Sequence, residues 1–226
     1  MEKISILLPT RKRFSIFVES INSLINNASD IKNFEILVAL DSDDIETINA
    51  IKNIQTNIKN ISIFIYERQS YHNLHFYYNN LANESLGTSL FLWNDDAVMM
   101  TKDWDLEILN NHKNFVVLSP KVINMENYWL NQGVLFPIIP KQWINLTKTW
   151  SPYRGCDSWI DYIGKKLNII NKLETVMIKH DRYDLTGNNL DDTYNEGRIG
   201  GEEIMIYHDI LENHYKTIKN YLNDNN

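Results

Sequence analysis

Three short apolar runs, Ile4–Leu8, Glu35–Leu40 and Ile61–Tyr66, alternate with stretches whose apolar residues recur at helical spacing. Phe14, Phe17, Val18, Ile21, Leu24 and Ile25 follow the first run. Ile45, Ile48, Ile51, Ile54 and Ile58 follow the second, and Leu74, Tyr77, Tyr78, Leu81 and Leu86 the third, with Gly87 as a helix stop. A fourth run, Leu90–Trp93, closes the series. Continuous apolar runs this short are buried parallel strands, since both faces must be hidden. Strands that alternate with amphipathic helices predict an α/β fold, a mostly parallel sheet flanked by helices.

Such sheets bind ligands beyond the carboxyl ends of their strands. Here those ends carry Thr10-Arg11, then Asp41-Ser42-Asp43-Asp44, then Arg68, then Asn94-Asp95-Asp96. Polar groups far apart in sequence thus converge on one edge. Asp95 and Asp96 are adjacent carboxylates placed directly after an apolar strand. Their repulsion is relieved by a divalent cation or a sugar hydroxyl between them. A polar turn, with Asn and Asp bonded to their own backbone, is the plainer alternative. No G-x-G-x-x-G follows the first strand and no P-loop occurs, so phosphates must be held without a glycine-rich helix start, most simply by a metal on Asp96.

Beyond Met100 the pattern is less regular. Val116–Leu118 reads as a strand and Trp129–Pro137 as a strand or hairpin. A helix begins at Asp157, and a short strand, Thr175–Ile178, ends at Lys179-His180. Residues 186–201 are rich in Gly, Asn and Asp and read as a mobile loop, and Glu202–Leu222 as a closing helix.

The chain has 226 residues, enough for one domain with a substantial core. A net charge of −7 argues against nucleic acid as the main partner. No run approaches a transmembrane segment, and Ile4–Leu8 is too short for a signal peptide. The single Cys156 fits a reducing, cytoplasmic setting.

Four segments together resemble a GT-A glycosyltransferase of the family-2-like kind. Ile6-Leu7-Leu8-Pro9-Thr10-Arg11 is similar to its first strand and nucleotide loop, and Leu40-Asp41-Ser42-Asp43-Asp44 to the acidic end of its second strand. Leu90 to Asp96 is similar to its DXD strand, and Gly155-Cys156-Asp157-Ser158-Trp159-Ile160 to the helix start that carries the catalytic base. Lys179-His180-Asp181 resembles the late histidine that completes metal binding. Two departures stand out: Asn94 opens the DXD position, and the base position reads Cys-Asp rather than Glu-Asp.

The resemblance implies one GT-A (Rossmann-like) domain over 1–226. Residues 1–100 would bind the nucleotide sugar, and an irregular half, 101–226, would serve acceptor and catalysis. It implies an inverting transfer from a UDP- or GDP-sugar to a hydroxyl on a glycan, lipid-linked or protein acceptor, with Mn2+ or Mg2+ as cofactor. Asp96 and His180 would ligate the metal. Thr10, Arg11, Asp41, Asp43, Arg68, Asn94 and Asp95 would line the nucleotide and donor site. Asp157 would be the general base, with an N-cap as its plainer role, and Trp159 an acceptor platform. Arg182 and Arg198 would close over the diphosphate, whereas Lys12 and Arg13 read as surface charges. A non-catalytic carbohydrate-binding module of the same fold, or a sugar nucleotidyltransferase, is the alternative. The latter class usually has a glycine-rich first loop, which Pro9-Thr10-Arg11 is not.

Overall fold

The computed structural model describes residues 2–55, 60–131, 133–182, 187, 192, 195–196 and 204–225. Its first half follows the alternation of the sequence. Strands β1 (Ile4–Pro9), β2 (Phe34–Asp41), β3 (Ile61–Tyr66) and β4 (Ser89–Leu92) are separated by helices α1 (Phe14–Asn27), α2 (Ile45–Gln55) and α3 (Leu74–Glu84). The four strands are parallel, in the order β3-β2-β1-β4. All eight residues of β2 are buried, which explains its apolar run from Ile36 to Leu40.

Side-chain alternation divides the core between the two faces of the sheet. Ile4, Ile6 and Leu8 of β1, with Ile36, Val38 and Leu40 of β2, pack with Phe17, Ile21 and Leu24 of α1. Leu7, Leu37, Ala39, Leu90 and Leu92 face the other way, toward Tyr77, Tyr78 and Leu81 of α3. Each of the Ile, Leu, Val and Phe side chains contributes about 1.5–3 kcal/mol on burial. Both layers are therefore well covered, and the sheet is left open for chemistry at its carboxyl edge.

The second half completes an eight-stranded sheet, order β3-β2-β1-β4-β7-β6-β8-β5. Here β5 is Ala97–Met99, β6 Val117–Val122, β7 Ile138–Pro140 and β8 Ile170–His180. The pairs β4–β7, β7–β6 and β8–β5 are antiparallel, and β6–β8 is parallel. The expected α/β architecture, mostly parallel and flanked by helices, therefore holds.

Several expectations are corrected in this half. Trp129–Pro137 is not a strand or hairpin: helix α5 (Glu126–Asn131) takes up its start. Trp129 is buried there and its Nε1 donates to Ser119 O and Oγ, both at 3.1 Å. A short apolar run does not by itself distinguish helix from strand. Strand β6 continues past Leu118 through Pro120, because the β6–β8 register shifts between Pro120 and Lys121 and the irregularity absorbs the proline. β8 begins at Ile170, five residues before the expected Thr175, and its early outward positions carry Asn171, Lys172 and Glu174.

Helices α4 (Trp104–Asn111) and α6 (Lys141–Thr147) were not expected, whereas α7 (Cys156–Leu167) begins one residue before Asp157. The closing helix α8 spans His208–Asn225, after a 3-10 turn over Ile204–Tyr207. The expected loop 186–201, Arg198 included, lies largely outside the described residues. Among the described residues no helix is long and apolar enough to cross a membrane.

Gly87 is not the stop of α3. That helix ends at Glu84, where Lys141 Nζ bonds the Ala82 carbonyl and, at 2.7 Å, Ser85 Oγ. A Cβ at position 87 would lie 2.5 Å from Ser5 Oγ and 2.6 Å from the Lys3 carbonyl. Only glycine permits this close approach of the chain to β1.

Trp159 and His214 form a buried pair between α7 and α8, with Trp159 Nε1 donating to His214 Nδ1 at 3.3 Å. Burial pushes the His214 imidazole down to about 4 from its usual 6.5. The unfolded chain therefore binds the extra proton between these values. The stability from this site is complete above pH 6.5 and is lost as pH falls toward 4, by about 1–3 kcal/mol. His214→Gln is expected to flatten the fall of Tm between pH 7 and pH 5 relative to the parent chain. An equal slope in both proteins would refute this.

Candidate active site

The carboxyl ends of β1 to β4 open into one cavity of about 440 Å3. Among the described residues, every expected site residue lines it except Asp43 and Trp159. Three clusters make up its polar wall.

The first lies at the ends of β1 and β2. Arg11 Nη1 donates to Asp41 Oδ2 at 2.9 Å and to Asp43 Oδ1 at 2.5 Å, and its Nη2 donates to Asp43 Oδ2 at 2.9 Å. These bonds raise the Arg11 pKa further and hold the Asp43 carboxyl below its usual range. Tyr77 OH also donates to Asp41, and accepts from Gln69 N at 2.9 Å. Asp44, not Asp41 or Asp43, caps α2: its Oδ1 accepts from Thr47 N at 3.3 Å. The acidic run thus divides its work. Asp44 serves the helix, Asp41 lines the cavity, and Asp43 holds the Arg11 guanidinium from outside it.

The second cluster is the acidic pair, strung between β4 and β5. Asp95 accepts from Thr10 Oγ1 at 2.7 Å and from Arg13 Nη1 at 3.1 Å. Burial, with the neighbouring charge of Asp96, pushes its carboxyl up to about 6 against the pull of Arg13. Asp96 is buried too, yet its carboxyl lies below the usual range, because the His180 bond and Arg13 outweigh desolvation. Asn94 is held by Tyr78 OH, which reaches its Oδ1 and the Trp93 carbonyl, each at 3.0 Å.

Strand pairing delivers His180. The β5–β8 register sets Ala97 opposite His180, and Asp181 N donates to the Asp96 carbonyl at 2.8 Å. His180 Nε2 then lies 3.0 Å from Asp96 Oδ1. Asn124 fixes the backbone behind it, accepting from His180 N at 3.0 Å and donating to His180 O at 2.6 Å. Phe136 packs edge-on against the imidazole.

This pair fits a hard divalent ion. In octahedral coordination with bonds of about 2.1 Å, neighbouring donors lie about 3 Å apart. A buried carboxylate and a buried imidazole are also a suitable donor set. Among the described residues, however, no three His, Cys, Asp or Glu side chains gather to hold an ion. Among the described residues, buried His180 Nδ1 has no hydrogen-bond partner, so they supply no outer brace of the kind usual for a ligating histidine. Two protein donors leave most of a coordination shell to be filled by phosphate oxygens and water.

The third cluster is at the start of α7. Asp157 sits in the first helical turn, half-buried, on the cavity wall. The N-cap is Gly155, so the capping role does not fall to Asp157. Its Oδ1 accepts from Ser158 N at 2.8 Å. Burial holds its carboxyl above the usual range.

Trp159 is a correction. Its indole is fully buried in the lower core layer beside Tyr153 and His214, so no sugar can stack on it. It lies two positions from Asp157 on the helix, which turns it to the inward face. Arg68 lines the cavity, but its Nη2 is engaged by Glu196 Oε2 at 2.6 Å, while Glu196 Oε1 accepts from Tyr71 N at 3.0 Å. Arg13 is a second correction. It is no surface charge, with its side chain only 9% exposed between Asp95 and Asp96. A basic residue in a helix-capping position was the signal for it, since Ser, Thr, Asp or Asn is the norm there. Tyr71 and Arg154 also line the cavity and had no distinguishing sequence signal.

No protein family and no curated protein matches the chain. Solved structures do. The mannosyltransferase PcManGT from Pyrobaculum calidifontis, in complex with GDP-Man and Mn2+, superposes with a TM-score of 0.66 at 9% identity, covering 95% of this chain and 69% of that one. S. aureus TarS in complex with UDP-GlcNAc gives 0.62 at 15% identity, over 92% and 70% of the two chains. TarS in complex with UDP gives 0.63 at 16% identity, over 92% and 69%. The likeness extends over nearly the whole chain, and this protein shares the GT-A-like fold of these glycosyltransferases.

Proposed function

We propose that this chain is a metal-dependent glycosyltransferase that moves a sugar from a UDP- or GDP-sugar to a hydroxyl of a glycan, lipid-linked or protein acceptor, with inversion. The observation that carries the reading is one cavity at the strand ends holding both a divalent-ion donor pair, Asp96 and His180, and a half-buried carboxyl, Asp157, suited to proton removal. The complexes of PcManGT with GDP-Man and Mn2+ and of TarS with UDP-GlcNAc lend support through the shared fold. The whole chain acts as one domain, with residues 1–100 on the donor side and 101–226 on the acceptor side. Its free, buried Cys156 suits a reducing compartment such as the cytoplasm.

Asp41, Asp43 and Arg11 receive the nucleoside, and Thr10, Asn94 and Asp95 hold ribose or donor-sugar hydroxyls. Asp96 and His180 hold Mn2+ or Mg2+, which when bound withdraws negative charge from the leaving diphosphate. Arg182, beside His180 on the cavity wall, and Arg68 face the phosphates. Asp157 takes the proton of the acceptor hydroxyl as its oxygen bonds to the anomeric carbon and the bond to the diphosphate breaks. A raised carboxyl is a better base than an ordinary one.

Thermal shift with UDP, GDP and CMP, each with and without Mn2+, tests the reading. One diphosphate with Mn2+ is expected to raise Tm, and either component alone much less, because stabilisation grows with ligand over its dissociation constant. No shift with any combination would favour a non-catalytic carbohydrate-binding module.

A further inference from the structure

Two local features at the start of α1 are unfavourable in themselves. Lys12 has φ of +53°, the left-handed region that a lysine rarely occupies. The turn is pinned by its N–H, which donates to Asp44 Oδ2 at 2.6 Å. Arg13 then fills the N-cap position and makes no side-chain cap bond, so α1 forgoes the stabilisation that Ser, Thr, Asp or Asn would give. Backbone strain of this kind points to a function when it directs a side chain somewhere useful. Here it directs Arg13 Nη1 to 3.1 Å from Asp95 Oδ1 and 3.8 Å from Asp96 Oδ2, with all three side chains no more than 10% exposed.

We infer that Arg13 is a positioning residue that acts as the built-in counter-cation of the acidic pair and sets how tightly Asp96 and His180 retain a divalent ion. The inference rests on the metal reading above. One fixed positive charge between two carboxylates keeps them from repelling when the site holds no ion. The same charge repels an incoming cation over a short, poorly solvated path. With Arg13 present, the ion is held weakly by protein alone. It is held firmly only when the two negative charges of a diphosphate arrive with it. Arg13 thereby couples metal binding to donor binding, and the enzyme does not keep a bare ion between turnovers. A plain structural brace would do neither.

The test is Mn2+ affinity, followed by electron paramagnetic resonance with the full chain, in the presence and absence of UDP or GDP. Arg13→Gln is expected to bind Mn2+ alone about tenfold tighter than the parent, and to lose most of the added affinity that the nucleotide confers. Arg13→Lys keeps the charge and is expected to stay within about threefold of the parent. This separates charge from packing, and it serves if the glutamine variant does not fold. Mn2+ binding to Arg13→Gln that is equal to or weaker than in the parent overturns the inference and leaves the glycosyltransferase reading standing. For a glutamine variant that does not fold, an Arg13→Lys affinity shifted more than tenfold overturns it likewise. Failure of every variant to bind Mn2+ with any nucleotide overturns both.

Discussion

Asp96→Ala is expected to abolish Mn2+-dependent donor binding and to lower sugar transfer by about 10^3-fold or more, while the protein stays folded. The carboxylate oxygen 3.0 Å from His180 Nε2, which on the proposed reading would hold the ion, is lost, and one imidazole cannot hold a hard cation against water. The loss of charge stabilisation at the leaving group is several kcal/mol, and each 1.4 kcal/mol costs about a factor of ten in rate. The fold survives for an electrostatic reason. Loss of the His180 bond is offset in part by relief of the repulsion with Asp95, and Arg13 keeps Asp95 as its partner. Calorimetric titration of nucleotide with Mn2+, alongside urea unfolding, reads both effects. A variant that unfolds would return Asn94-Asp95-Asp96 to the role of a structural turn.

Asp157→Asn has a different signature. Donor binding persists, because the side chain belongs to the start of α7 and not to the acidic pair. Transfer falls by about 10^2–10^4-fold, the usual worth of a positioned base. The parent enzyme should also lose activity as pH falls through the Asp157 pKa. Because burial holds that carboxyl above the ordinary range, the acid limb should lie above the pH expected of an exposed aspartate. The asparagine variant should lack this limb in its residual activity. Normal turnover by Asp157→Asn would remove the base from Asp157 and favour a retaining mechanism.

The part of the site at the ends of β1 to β4 was legible in the sequence because parallel strands bury both faces. Their runs are mostly apolar, and the polar residues that follow each run must stand at the rim. Thr10, Asp41, Arg68 and Asp95 all follow this rule. The second half of the chain was less legible. β7 has three residues, too few for a period to show. β8 exposes charged residues along its outer face, so only its apolar end was recognisable. Arg13 was misread because a turn through a left-handed lysine re-aims the side chain, which no periodicity reveals. Trp159 was misread because an aromatic near a candidate base suggests stacking, whereas its helical phase turns it into the core.

The pairing of Ala97 with His180 also dictates where this protein tolerates evolutionary change. Along a strand, neighbouring side chains alternate between faces, so one residue inserted or deleted between Ile178 and His180 would swing the imidazole to the far side of the sheet. Outward positions such as Lys179 can vary freely in chemistry, but the spacing cannot. Divergent descendants would keep this interval fixed long after their residue identities had been lost, and the length of that short segment would be a better marker of a retained site than any of its letters.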